Sequence, residues 1–304
     1  MRSVLAQTET SWELLVVDDG STDDTRSALA GFADPRLKLL FNEKNRGQHA
    51  CRNQAIRLAR APWIAFLDSD DLFLPERLAR LRRAVEERPS AGFWFTNAYL
   101  WRFDRLIGTL FDPARALPQG RVPGWYAVGD EHLPYVTSTV VVRRDAFEKT
   151  GFFREDLRIL EDTELYGRML AGGLEVGALS EPLVVRFIHE TQITRDHRKD
   201  FEESMEALRA SGAPPETAAR VRAKVAREVA EYLWRDLQPA AARELLRREL
   251  PSERGAAYWK TYVPAAALAP LKAARAGWLR LRRHPALASA REKEVTRWVR
   301  SVLA

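Results

Sequence analysis

The chain has 304 residues, 46% apolar and 30% charged, which excludes intrinsic disorder and allows one good-sized core with an appendage or two modest domains. A single cysteine, Cys51, excludes an intramolecular disulfide and points to a reducing, cytoplasmic setting. The net charge of +6 is uneven: from Pro251 onward eleven Lys and Arg face three acids, so that stretch carries +8 and residues 1–250 carry −2.

No stretch approaches the ~20 apolar residues of a membrane span, and residues 1–7 lack the apolar run of a signal peptide. The first half alternates short apolar runs with helical patterns, the signature of a mainly parallel α/β sheet flanked by helices. Residues 12–17, Trp-Glu-Leu-Leu-Val-Val, read as a buried strand ending at Asp18-Asp19-Gly20. Ser21-Thr22-Asp23-Asp24 then opens a helix with capping residues and early acids. Residues 37–41 are the next strand, a helix runs from near Gly47 to Ala59, and residues 62–67 form a third strand. That strand delivers Asp68 at its carboxyl end, where open α/β sheets place their ligands. Pro75 suits the first turn of a helix through Glu87, and residues 91–98 are a fourth strand.

Residues 104–133, punctuated by Pro113, Pro118, Gly120, Pro123, Gly124 and Gly129, read as a long substrate-covering loop. A β-branched strand is expected over 137–143, a helix over 161–171 and a last strand over 183–188. Beyond about residue 200 the pattern is helical and rich in Ala, Arg and Leu. The expected division is therefore an α/β body over 1–198 and a basic helical region over 199–304.

Three acidic groups carry chemistry. Asp18 and Asp19, adjacent at a sheet edge, can accept hydrogen bonds from a pyrimidine N–H or a ribose hydroxyl, and like charges so close are hard to explain as scaffold. A capped turn accounts for Asp23 and Asp24. Asp68-Ser69-Asp70-Asp71 packs hard oxygen ligands suited to Mg²⁺ or Mn²⁺ with diphosphate oxygens, or else caps a helix. Glu161-Asp162 can supply a general base, or simply complement a helix N-terminus.

Taken in order, five strings resemble family-two glycosyltransferases of the GT-A fold. They are Val17-Asp18-Asp19-Gly20-Ser21-Thr22-Asp23-Asp24-Thr25, Asn45-Arg46-Gly47 with Ala50-Cys51-Arg52-Asn53, and Phe66-Leu67-Asp68-Ser69-Asp70-Asp71. Thr150-Gly151-Phe152-Phe153 and Glu161-Asp162-Thr163-Glu164-Leu165 with Arg168 complete the set, over roughly residues 1–190. The resemblance implies an inverting transferase with a Rossmann-like nucleotide-binding half, a nucleoside-diphosphate sugar as donor and a glycan or lipid-linked acceptor. It implies a base or ribose contact at Asp18, a donor-side contact at Arg52, Asp68 near the ribose and Asp70 on the metal. Asp162 would be the general base with Glu161 beside it, and Arg186 and His189 lie where some relatives place a phosphate or metal contact. No nucleic-acid partner is expected.

Relatives begin with an apolar strand, a turn and a helix, and this chain enters inside that helix at Ser3-Val4-Leu5-Ala6-Gln7-Thr8. A buried parallel strand needs a partner on each side, so about thirty upstream residues supplying one are expected. Two other readings compete. One is a GT-A protein that binds without catalysis; the other is a phospho-receiver domain, which also pairs acids after its first strand. Finally, residues 268–287 mix Leu271, Trp278, Leu279 and Leu281 with Lys272, Arg275, Arg280, Arg282 and Arg283. Such a helix can lie on an anionic membrane surface, peripheral on the inner face of the cell membrane, or present a solvated Arg face.

Overall fold

A computed structural model describes residues 1–127, 133–157, 161–188, 197–252, 261–262 and 289–304. A short helix α1 (Arg2–Leu5) leads to strand β1 (Leu14–Asp18), then α2 (Thr25–Ala30) and β2 (Leu37–Phe41). β1 and β2 pair in parallel, Leu14 opposite Leu37 through Asp18 opposite Phe41, and form a sheet of their own. Next come α3 (Gln48–Leu58), β3 (Trp63–Ala65), β4 (Leu72–Phe73), α4 (Arg77–Glu87), β5 (Ala91–Arg102) and β6 (Arg105–Thr109). The α/β body ends with β7 (Val140–Arg143), α5 (Asp145–Thr150), α6 (Glu161–Ala171) and β8 (Glu175–Phe187).

The larger sheet runs β3-β7-β5-β8-β4, with β6 hairpinned onto β5. The α/β class holds, but the direction of the strands in this sheet corrects the mainly parallel expectation: only β5–β8 is a parallel pair. The reason is local. Parallel neighbours need a crossover, usually a helix. Phe103 and Asp104 instead take positive φ (55° and 56°) in a tight hairpin turn, so β6 folds straight back on β5. Between β6 and β7 the described residues form one 3₁₀ turn (Gly124–Ala127) ahead of the Thr137–Thr139 turn, and β7 returns antiparallel to both β5 and β3. β3, β5 and β8 consequently point one way, and the start of β7 lies beside the end of β3, Val141 opposite Ala65.

The core sits between this sheet and α6. Leu165, Tyr166, Met169 and Leu170 of α6 are fully buried against Phe93, Phe95, Val140, Val142 and Val176. Fully burying side chains of this size stabilises by about 1.5–3 kcal/mol each. Helices α7 (His197–Ala210), α8 (Pro215–Arg235) and α9 (Pro239–Glu249) gather a separate apolar cluster around Phe201, Val229, Leu233 and Leu245. The last helix, α10 (Ala290–Leu303), leaves that cluster and sets Val295 and Val299 on Tyr99, Trp101, Leu106 and Val185 of the body. No helix of the described residues is long and apolar enough to cross a membrane. The basic stretch 268–287 lies outside the described residues.

Candidate active site

Phe66 extends the β3 ladder by donating to the Val140 carbonyl at 3.3 Å, and the chain then turns sharply, the Asp71 N–H meeting the Asp68 carbonyl at 3.1 Å. Carboxylate oxygens of Asp68, Asp70 and Asp71 come within 4.8 Å of one another. Asp70 is exposed, Asp68 half-buried and Asp71 buried. Two contacts hold the turn: the Asp68 N–H donates to Ser138 Oγ at 3.1 Å, and the Phe187 N–H donates to Asp71 Oδ1 at 3.0 Å. Burial pushes Asp71 up to about 6, although hydrogen bonds from the Ser138 hydroxyl and Phe187 oppose that rise. Three hard oxygen donors converging this closely fit a divalent ion such as Mg²⁺ or Mn²⁺.

Arg52, on α3, reaches into the same place. Its guanidinium donates to Asp68 Oδ1 at 2.8 Å and to Glu161 Oε1 at 2.7 Å, and lies 5.6 Å from the Phe153 ring centre. Asn53 fixes the helix against that ring, giving a hydrogen bond to the Phe153 carbonyl (2.9 Å) and accepting one from its N–H (3.0 Å). Burial lowers the Arg52 pKa, but the charges of Asp68 and Glu161 outweigh it and hold the guanidinium firmly protonated. Glu161 is buried and also receives Gln48 Nε2 at 2.9 Å. Burial first, then the adjacent Asp162, raises it to about 7 against the pull of Arg52.

Asp162 follows Glu161 in the first turn of α6. Its Oδ2 accepts the Thr137 hydroxyl at 2.8 Å and its Oδ1 the Thr163 N–H at 2.7 Å. Tyr135 and Tyr166 pack edge-to-face beside it, their phenols driven well above the ordinary value by burial and then by the Asp162 charge. Arg52, Asp68, Asp70, Glu161 and Asp162 are therefore brought into one cluster at the sheet edge.

Asp18 and Asp19 lie apart, at the end of β1. Asp18 accepts Ser21 N–H (3.3 Å) and Arg26 Nε (2.8 Å), and the Ser21 hydroxyl first, then Arg26, holds its carboxyl below the usual range. Asp19 accepts Asn42 Nδ2 (3.0 Å) and the N–H groups of Arg46 (2.9 Å) and Gly47 (2.7 Å); burial pushes it up, but these donors prevail and it too stays low. Gly20 is needed between them and the next loop: its φ is +75°, and a Cβ there would stand 3.0 Å from the Asn45 nitrogen. Asp19 thus fastens β1 to the loop that starts α3, and through α3 it sets where Arg52 points. His189, the second metal candidate, falls outside the described residues.

Sequence reasoning placed Asp71 only within the acidic ligand string and assigned no role to Gln48, Thr137 or Ser138. The one signal for the last two was the hydroxyl run Thr137-Ser138-Thr139, which reads from sequence as ordinary β-branched strand.

The profile of glycosyl transferase family 2 matches residues 1–151. Succinoglycan biosynthesis protein ExoO of Rhizobium meliloti (strain 1021) is 34% identical over 213 residues, 67% of this chain and 60% of its own length. The UDP-Glc:alpha-D-GlcNAc-diphosphoundecaprenol beta-1,3-glucosyltransferase WfgD of Escherichia coli is 37% identical over 113 residues, 37% of this chain and 44% of its own. The chain thus spans less than two thirds of either relative. It covers more of the putative colanic acid biosynthesis glycosyl transferase WcaA of Escherichia coli (strain K12): 32% identity over 208 residues, 66% of this chain and 71% of that protein. Among solved structures, S. aureus TarS 1-349 in complex with UDP superposes with a TM-score of 0.55 at 16% identity, over 92% of this chain and 81% of that one. Mannosyltransferase PcManGT from Pyrobaculum calidifontis, in complex with GDP-Man and Mn²⁺, gives 0.53 at 19% identity, over 99% and 79%. At such identities these two show the fold alone, which is GT-A. With the ordered motifs, the profile match and relatives above 30% identity all agreeing, the chain belongs to glycosyl transferase family 2.

Proposed function

We propose that this protein transfers a sugar from a nucleoside-diphosphate sugar to a hydroxyl acceptor with inversion, assisted by a divalent metal, in the synthesis of a cell-surface polysaccharide or glycolipid. The observation that carries the reading is one cluster in which acids able to hold a metal diphosphate (Asp68, Asp70, Asp71) share Arg52 with the Glu161-Asp162 pair. Relatives named for succinoglycan and colanic acid biosynthesis, and one named as a UDP-Glc glucosyltransferase, support the substrate class.

In this mechanism Asp162 takes the proton of the acceptor hydroxyl as its oxygen attacks the anomeric carbon. The bond from that carbon to the diphosphate breaks on the opposite face, so the configuration inverts and a nucleoside diphosphate leaves. Asp70, with Asp68 and Asp71 behind it, would hold the metal, and His189 is a further candidate ligand. A bound divalent ion supplies charge neutralisation at the departing diphosphate. Arg52 keeps Asp68 in place and adds positive charge on the donor side. Glu161, gripped by Arg52 and Gln48, fixes the first turn of α6 and with it Asp162. Asp18 receives the base or ribose when Arg26, whose side chain is 47% exposed, swings away; Asp19 shapes the same pocket from below. A lipid-linked acceptor would bring the basic stretch 268–287 to an anionic membrane surface.

The test is donor hydrolysis and transfer with UDP-glucose, UDP-GlcNAc and GDP-mannose, with and without Mn²⁺. Asp70→Asn is expected to lose turnover by orders of magnitude, because leaving-group stabilisation worth several kcal/mol disappears. Mn²⁺-stimulated turnover at the unaltered rate in Asp70→Asn would sink the metal assignment. Nucleotide binding without any turnover by the unaltered chain would make it a binding protein.

A further inference from the structure

We propose that the neighbouring hydroxyls of Thr137 and Ser138 form a shelf that holds the donor-side acidic turn and the general base in one frame, Ser138 positioning the turn at Asp68 and Thr137 positioning Asp162. The inference rests on the reading above for the roles of those acids. Its geometry stands on its own.

The 3₁₀ turn Thr137–Thr139 precedes β7 and buries three hydroxyls, Thr137 at 7% exposure and Ser138 and Thr139 at 0%. A buried hydroxyl costs about 1–3 kcal/mol unless it is hydrogen-bonded, so the destination of each one carries information. Thr139 spends its hydroxyl inside the turn, donating to the Val136 carbonyl at 2.7 Å and accepting the Val136 N–H at 3.1 Å. The other two reach outward, to opposite parts of the site. Ser138 Oγ accepts the Asp68 N–H at 3.1 Å, at the head of the acidic turn. With the Phe187 N–H on Asp71 from the end of β8, the acidic turn is pinned by two strands at once. Thr137 Oγ1 donates to Asp162 Oδ2 at 2.8 Å. Successive residues of one rigid turn therefore touch the diphosphate side and the acceptor side. A displacement of either set of acids is transmitted to the other through the turn's backbone.

The antiparallel course of β7 makes this possible, since it puts the start of that strand beside the end of β3, from which the acidic turn follows. The groups facing Asp162 are Glu161 and Tyr166 from α6, Arg52 from α3, and Tyr135 ahead of the turn, with Asp68 beyond Arg52. None of the hydrogen bonds to these groups substitutes for the Thr137 hydroxyl on Oδ2.

Three hydroxyl deletions and one rescue variant of the full chain separate positioning from mere structure, each assayed well below its own melting temperature. Ser138→Ala is expected to weaken calorimetric binding of Mn²⁺ with a nucleoside diphosphate ~10-fold or more, the usual cost of removing a partner behind a metal ligand. Thr137→Val is expected to leave that binding unchanged and lower kcat ~10- to 100-fold; Thr137→Ser, which keeps the hydroxyl, should restore most of it. Thr139→Val, which breaks only the turn's internal bonds, is the control: it should lower Tm while changing binding and kcat far less than the other two. Unchanged Mn²⁺–nucleotide affinity in Ser138→Ala, unchanged kcat in Thr137→Val, or losses in all three that simply follow Tm would each overturn the shelf. Absence of transfer by the unaltered chain would overturn the proposed activity instead, because the calorimetric arm needs no turnover. No Mn²⁺–nucleotide binding by the unaltered chain would overturn both.

Discussion

The two sheets differ in how well they are covered. β5 is buried at every residue from 91 to 99, with β7, β8 and β6 beside it and α6 over its face. In β1 the four consecutive aliphatic residues Leu14, Leu15, Val16 and Val17 are only half-buried, and β2 is half-buried at Leu37, Leu39 and Leu40 and exposed at Lys38 and Phe41. Among the described residues no strand pairs with the free edge of β1 or with the outer edge of β3. Polar clamps take over part of the task there: Glu13 accepts the N–H groups of Arg60 (2.6 Å) and Ala61 (2.9 Å), and Asp19 accepts those of Arg46 and Gly47. The Glu161–Asp162 side of the site thus rests on a packed core, while the Asp18–Asp19 side, proposed to hold the nucleoside, hangs on hydrogen bonds. Changes in the first region should cost stability and catalysis together, and changes in the second should act on nucleotide affinity.

Arg52 is where the two regions are joined, so breaking it gives the largest effect. Arg52→Met leaves the Glu161 carboxylate buried with Gln48 alone and releases Asp68. Removing one partner of a buried pair typically costs ~3–5 kcal/mol. Chemical denaturation should show a loss of that order, and donor turnover should fall with it. A variant as stable as the original would mean that the pair stabilises nothing.

What the sequence revealed and what it hid divide along similar lines. Helix 161–171 and strand 37–41 were read residue for residue, because a helix opened by three acids and a bounded aliphatic run are strong local signals. β8 was seen only in its last third: Gly177, Ser180, Glu181 and Pro182 interrupt the apolar pattern, and its pairing with β5 is irregular there. β6 was missed entirely, since Phe103-Asp104 lacks the Asn-Gly type of signal that marks a two-residue hairpin turn. Within the site the acids stood out because clustered charge at strand ends is costly and therefore informative. The hydroxyls of Thr137 and Ser138 did not, because a β-branched strand looks the same whether its first residues face core or ligand, and strand direction is invisible to periodicity.

Supplying the uncovered edges would sharpen the comparison. An apolar strand, turn and helix fused ahead of Met1, designed to pair between β1 and β3, should raise stability by about 2 kcal/mol, or ~4–8 °C in Tm. Nucleoside diphosphate affinity, titrated side by side in the extended and original chains, should rise as well, since the end of β1 carries Asp18 and Asp19. Equal melting temperatures would show that β1 needs no second partner.

A smaller effect is expected from pH. In the fold Glu161 titrates at about 7 rather than its ordinary 4.5, mainly through burial. The folded protein therefore binds this proton more tightly than the unfolded chain does. Its stabilising share is complete below the ordinary value and is lost as pH climbs through about 7. Thermal melts at pH 5 and pH 8 should show that decline, and Glu161→Gln should flatten it. A slope unchanged in Glu161→Gln would assign the decline to other groups, with Asp71, raised to about 6, the next to be tested.

The smallest effect comes from α10, which belongs to the packed region although it closes the chain. Val299 is fully buried against β5, β6 and β8, in the cluster with Tyr99, Trp101, Leu106 and Val185. Arg300 adds an exposed pair to Asp104 at 3.2 Å, and Arg291 one to Glu76 at 3.2 Å, contacts that contribute little at the surface. Val299→Ala removes two buried methyl groups and should cost ~1–2 kcal/mol, while Arg300→Ala should stay within about 0.5 kcal/mol. Neither change touches a residue proposed to bind nucleotide, so calorimetric affinity should be unaltered in both. A loss of affinity in Val299→Ala would mean that the covered sheet transmits strain to the nucleoside side, and the separation between the two regions would fail at the point farthest from it.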